Sequence, residues 1–127
     1  MKQVYPIILT PENGIYIVSI PDFNANTHGK TQIEALEMAR DAIGLMGITL
    51  EDDNKPIPAP NSRPFKLEPH DIMSVIDIDF NQYRQEDEQR TVRRNVTIPL
   101  YLDKKIKETK FNVSRFLTDA LKKEFNI

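Results

Sequence analysis

The chain has 127 residues, 39% of them hydrophobic and 28% charged, with a formal net charge of −2 at pH 7 and no cysteine. That length suits one ordinary domain, or a small domain joined to a module that gains its core by pairing. Without cysteine there are no disulfides or thiolate metal sites; no apolar run approaches the ~18 residues of a membrane span.

The net charge conceals a division. Residues 1–90 carry 8 Lys and Arg against 15 Asp and Glu, a balance of −7; residues 91–127 carry 9 against 4, a balance of +5. One end is suited to a polyanion, while the other suits a basic partner. Chance segregation of solvated charge is the alternative. The first residues lack the basic-then-apolar pattern of a secretory leader, so a cytoplasmic protein is expected.

Residues 3–10 read as a strand ending at Pro11-Glu12-Asn13-Gly14. Asn-Gly favours a tight hairpin because both residues tolerate positive φ. The β-branched and aromatic run Ile15-Tyr16-Ile17-Val18-Ser19-Ile20 returns antiparallel. Pro21-Asp22 ends it, and residues 25–29 are expected to add a short third strand, with His28 as a polar turn residue. Thr31-Gln32-Ile33-Glu34 is a capping box. Ile33, Leu36, Ala39, Ile43 and Met46 form one helical stripe facing the sheet, with Met38 and Met46 as core filler. Gly44 and Gly47 are expected near the helix end, as C-cap positions.

Five prolines between residues 55 and 69 mark an extended crossing within one domain. Ile72, Ser74, Ile76, Ile78 and Phe80 then alternate with Met73, Val75, Asp77 and Asp79, the pattern of a half-buried strand completing the sheet. Residues 82–90 are polar and lack apolar periodicity, so they read as a linker. Past it, Val92, Arg94, Val96 and Ile98 alternate with Arg93, Asn95 and Thr97 in a short strand with a polar face. Pro99 suits the first turn of a helix marked by Leu102 and Ile106. Asn112 caps a second helix, whose Val113, Phe116, Leu117, Ala120 and Leu121 fall on one side.

A strand and two helices in about 36 residues are too little to fold alone. Residues 92–99 and the helices after them resemble the ribbon-helix-helix family, in which two chains pair strands and interlock helices. The resemblance implies a dimer core containing Val96, Ile98, Phe116 and Leu117. It also implies a ribbon in the DNA major groove with Arg93, Asn95 and Thr97 reading bases, since Arg pairs with guanine and Asn with adenine. Asn112, Val113 and Ser114 would hold a phosphate at the second helix's N-terminus.

Residues 1–80 resemble the HicB antitoxin family. The likeness is carried by Ser19-Ile20-Pro21-Asp22-Phe23, Thr27-His28-Gly29-Lys30-Thr31, residues 34–43 and the run Ile57-Pro58-Ala59-Pro60-Asn61. One departure is Asn24-Ala25, where the family often has glycine soon after its Pro-Asp. The resemblance implies an α+β architecture: an N-terminal β-β-β-α-β domain of partial ribonuclease H-like form, then a β-α-α ribbon-helix-helix dimerisation module. The expected divisions are 1–81 for the toxin-binding domain, 82–90 for the linker and 91–127 for the DNA-binding domain. The implied partners are a HicA-type ribonuclease toxin, operator DNA and a second copy, or more, of the chain. The toxin-contacting residues are not legible.

Catalysis is not expected. Asp22, Asp77 and Asp79 are the carboxylates that a two-metal nuclease would need to converge, but no further acid completes a set, and they read as solvated charges. His28 and His70 stand apart from any nucleophile, Ser19, Ser62, Ser74 and Ser114 have no triad-like context, and no glycine loop cradles phosphate; no cofactor is implied. The reading is an antitoxin that neutralises its toxin and represses its own operon. The alternatives are a stand-alone ribbon-helix-helix repressor with a ligand-sensing N-terminal domain and a divergent metal-dependent nuclease.

Overall fold

The computed structural model describes residues 2–127. The chain forms two units, one ending at Arg90 and the other spanning Thr91–Ile127. In chain order the first unit holds β1 (Lys2–Glu12), β2 (Ile15–Ile20), a 3-10 turn (Pro21–Phe23), β3 (Ala25–Gly29), α1 (Gln32–Asp52), β4 (Ile72–Asp79) and α2 (Phe80–Glu88). The second holds α3 (Leu100–Thr109) and α4 (Val113–Phe125).

The sheet is antiparallel throughout, ordered β3-β2-β1-β4. Glu12 pairs with Ile15, so the β1–β2 turn consists of Asn13 and Gly14, at φ 50° and 80°. That is the positive-φ pair which matches strand twist. Two prolines lie within β1, and the registers account for both. The ladder to β2 runs from Ile8 to Glu12 and that to β4 from Lys2 to Leu9. Pro6 therefore has a neighbour only on the β4 side and Pro11 only on the β2 side, leaving each a side where no ladder donor is required.

Tyr5, Ile7 and Leu9 of β1, Val18 and Ile20 of β2, and Ile76 and Ile78 of β4 are buried with Ala35, Ala39 and Ile43 of α1. The alternation expected in β4 holds at Ile76 and Ile78, whereas Ile72 is 38% exposed and Phe80 opens α2. Thr31 caps α1, its hydroxyl accepting the Glu34 amide at 3.1 Å. Of the helical stripe expected, Ala39 and Ile43 are buried and Leu36 and Met46 pack against the core, but Ile33 is 72% exposed, Met38 is 39% exposed and is not core filler, and Ala35 is buried in addition. Small side chains let the helix axis approach the sheet closely. His28 is a strand residue of β3, paired with Ile17, not a turn residue.

Two expectations are corrected along the helical side. Gly44 and Gly47 do not end α1, which runs on to Asp52. They are seats: a Cβ on Gly44 would overlap the Tyr83 ring, and one on Gly47 the Phe80 ring. Those rings belong to α2, which occupies most of the 82–90 stretch expected as a linker. Asp79 caps this helix, its carboxylate accepting the Asn81 and Gln82 amides. Tyr83 donates its hydroxyl proton to Asp41 at 2.7 Å, and Arg84 reaches the Ile48 carbonyl, Glu51 and Asp52. The segment lacks helical apolar periodicity because two aromatic rings and one arginine do its packing.

Candidate nucleic-acid interface

The second unit is built from two short helices with no interior. Every residue from Thr91 to Ile127 is exposed or half-buried in the single chain. Pro99 is the N-cap of α3, one position before the first turn expected for it, and its carbonyl accepts the Leu102 and Asp103 amides. Lys110 ends α3 in the left-handed conformation at φ 54°, with the Phe111 amide returning to the Ile106 carbonyl. Asn112 then caps α4, its side-chain oxygen accepting the Arg115 amide at 3.0 Å, and Phe116 donates to the Asn112 carbonyl. The Val113 and Ser114 amides precede the first intrahelical bond, where N–H groups point along the axis.

Residues 91–99 form neither helix nor ladder. The strand expected at 92–98 pairs, by that expectation, with a second chain, and one chain supplies no such neighbour. Val96 and Ile98 line an apolar trough with Leu102, Ile106, Phe111, Val113, Phe116 and Leu117. Phe111, which sequence reasoning passed over, meets Phe116 with ring centroids 5.6 Å apart. Val96 and Phe116 are each 61% exposed and Leu121 46%. Asn95 and Thr97 are exposed outside the trough lining. Arg93 and Arg94 both line a cleft beside Ser114, Leu117 and Thr118. The structure thus brings four groups of the expected site onto one small unit: the arginines, the polar strand positions, the capped α4 start and the apolar trough.

The carboxylates that could suggest a metal centre serve other ends. Asp22 is fully buried, not solvated as expected. Its oxygens accept the amides of Asn61, Ser62 and Arg63 at 2.8–3.2 Å and the Ser62 hydroxyl at 3.1 Å. The Arg40 guanidinium beside Asp77, at 2.9 Å, holds that carboxyl below the usual carboxylate range. The Thr10 hydroxyl, at 2.6 Å, and the Glu68 amide do the same for Asp71. Among the described residues no group of three or more histidines or carboxylates is placed to hold a metal ion. No helix among them is long and apolar enough to cross a membrane.

The molecule is thus an acidic sheet-and-helix unit joined to a basic helical arm that exposes its apolar side. Residues 5–120 match the model of the HicB-like antitoxin of bacterial toxin-antitoxin systems, and the chain belongs to that family. It is 48% identical over 58 residues to antitoxin HicB 1 of Photorhabdus laumondii, a match covering 44% of this chain and 37% of the relative's length. Its fold is similar to a chain of a toxin-antitoxin complex from Streptococcus pneumoniae, with TM-score 0.56, 22% identity and coverage of 98% and 99% of the two chains. It is also similar to the antitoxin HicB of Burkholderia pseudomallei, with TM-score 0.53, 21% identity and coverage of 98% and 97%.

Proposed function

We propose that this protein is a cytoplasmic antitoxin whose acidic unit binds and neutralises a HicA-type ribonuclease toxin, and whose arm pairs with a second copy as a ribbon-helix-helix that represses its own operon. One observation carries the arm's half of this reading: a unit with a +5 balance exposes Val96, Ile98, Phe116 and Leu117 around a trough and buries nothing. Such a unit gains a core only from a partner, and intertwining with itself supplies one. The paired strands would offer Arg93, Asn95 and Thr97 to the major groove, and the start of α4, Asn112 to Ser114, would take a phosphate.

The toxin half rests on family membership and on the −7 balance before Thr91. A protein that binds RNA presents basic surface, which an acidic unit complements. The test is co-expression with whatever reading frame lies beside the gene, which this reading requires to be small and basic. Expected is a stable complex that no longer cleaves RNA and that shifts the operon's own promoter DNA. A neighbour that neither binds nor cleaves would overturn the antitoxin role.

A second reading, a ligand-sensing repressor, is favoured by one feature of the first unit. Phe23, Leu45, Met46, Leu50 and Pro58 line an apolar groove with Arg63 at its rim. An amphipathic carboxylate that altered operator affinity in the absence of any toxin would support this reading over the first.

A further inference from the structure

Towards the end of α1 one side of the helix is left open. Leu45, Met46, Thr49 and Leu50, with Phe23 and Pro58, wall an apolar groove of about 470 Å³ that has Arg63 at its rim. That volume lies in the range of small-molecule sites, which are apolar with a few placed polar groups. Leu45 is 47% exposed, and the Thr49 hydroxyl is already engaged, donating to the Leu45 carbonyl at 2.7 Å. The remaining walls are fixed before any ligand arrives. The Tyr5 ring meets Phe23 edge-on, with centroids 5.1 Å apart, and its hydroxyl donates to the Pro58 carbonyl at 2.6 Å. Asp22 holds the backbone of Arg63 by accepting its amide at 3.2 Å. Among the described residues the Arg63 guanidinium has no ion-pair or hydrogen-bond partner, and no carboxylate lines the groove. Glu51 and Asp52, at the same end of α1, are bound by Arg84, and the buried Asp22 is taken up by the amides of residues 61–63.

We propose that this groove binds a medium-chain fatty acid, its chain along Leu45, Met46 and Leu50 and its carboxylate on Arg63. An apolar wall with an unpaired guanidinium at its rim is complementary to an apolar body with one anionic head. A planar carboxylate matches the two-pronged guanidinium and accepts from it in parallel. Residues 45–50 span about 7.5 Å at about 1.5 Å per residue, which suits a chain of medium length and not that of a membrane lipid. Walls held by Tyr5 and Asp22 need no ordering when the ligand enters, and that saving favours binding. This rests on the sensing reading, whose ligand it names, yet the acid can bind whether or not operator affinity changes.

Titration calorimetry of the full chain with octanoate tests this. Each chain is expected to bind a single octanoate with submillimolar affinity. Octanol, of equal length without the charge, should bind at least about tenfold more weakly. Arg63→Gln keeps the amide that bonds Asp22, and it should erase the preference for the acid while leaving the weaker binding of octanol unchanged. Leu45→Glu, at an exposed position, should abolish binding of both with the urea midpoint unchanged. Octanoate bound at the parent's groove with operator affinity unaltered keeps the site and discards the sensing reading alone. Absence of saturable octanoate binding, or equal binding of acid and alcohol by the parent, overturns the proposal. So does undiminished octanoate binding in Leu45→Glu, which would move the ligand to another apolar surface such as the arm's trough.

Discussion

The carboxylate of Asp22, at the end of β2, is bonded twice to Ser62, taking its amide at 2.8 Å and its hydroxyl at 3.1 Å. The neighbouring amides of Asn61 and Arg63 complete the set. A second tie lies a few residues earlier, where the buried Tyr5 hydroxyl donates to the Pro58 carbonyl at 2.6 Å. Together these bonds hold the proline crossing in place over a chain separation that no local propensity spans. They also fix Pro58, one wall of the apolar groove.

Asp22→Ala would leave these amides without their acceptor. A buried donor so orphaned costs about 1–3 kcal/mol, and because residues 61–63 are themselves exposed, water recovers part of the total. We expect a net loss of about 1–3 kcal/mol, read from the urea midpoint. Asp22→Asn, which keeps one accepting oxygen, should lose less. An unchanged midpoint in Asp22→Ala would mean that the crossing is held by other contacts.

Gly47→Ala sets two effects against each other. Alanine gains about 1 kcal/mol over glycine within a helix. Its methyl would enter the Phe80 ring, and overpacking of that kind costs about 1–3 kcal/mol. Because α1 is held on the sheet, the clash should win and the variant should be less stable than the parent. Phe80→Leu in the same chain should recover part of the loss, a coupling visible in a double-mutant cycle. A stabilised Gly47→Ala would show that α2 shifts freely.

Acid should weaken the first unit through Asp71 and Asp77. Both carboxyls lie below their ordinary range in the folded chain, Asp71 mainly through the Thr10 hydroxyl and Asp77 mainly through Arg40. A carboxyl depressed on folding stabilises above its unfolded pKa, about 3.9. That contribution is lost as pH falls through the folded value. Thr10→Val should therefore flatten the fall in stability below about pH 4, while leaving the slope near neutrality unchanged. Parallel stability curves for variant and parent across the acid range would count against this account.

Base reading and charge in the arm can be separated. With Asn95 facing the groove, Asn95→Ala should weaken operator binding by roughly 1–3 kcal/mol for each bidentate base pairing removed, and it should relax sequence preference. Lys104→Ala or Lys122→Ala should act alike on operator and scrambled duplex, lowering the salt slope by about one per phosphate bound. Val96→Ala should cost stability without changing which sequence is preferred. Equal weakening of both duplexes by Asn95→Ala would reverse the assigned strand parity and bring Arg94 to the DNA.

Leu117→Asp tests the trough itself. Leu117 is 38% exposed in the single chain, so the substitution is tolerated by an isolated arm but places an unpaired charge in a paired core, costing several kcal/mol. Arm pairing and operator binding should go together while toxin binding persists. Operator affinity equal to that of the parent would remove the ribbon-helix-helix assignment.

What the sequence by itself determined was everything with a local cause. Asn13-Gly14 needed only two residues tolerant of positive φ, and Thr31 and Asn112 needed only an oxygen in reach of an amide three residues on. The alternation that buried Ile76 and Ile78 and the trough-facing positions of α4 are periodicities of a few residues. The tertiary structure alone decided where α1 stops, because Gly44 and Gly47 end a helix or carry it on according to whether an aromatic ring arrives from elsewhere. Tyr83 and Phe80 do arrive, and that makes a helix of a stretch whose composition resembles a linker. Asp22 looks like a solvated charge until the proline crossing brings three amides to it. Each of these outcomes depends on a partner distant in the chain, and packing, which no short window of sequence encodes, chooses that partner.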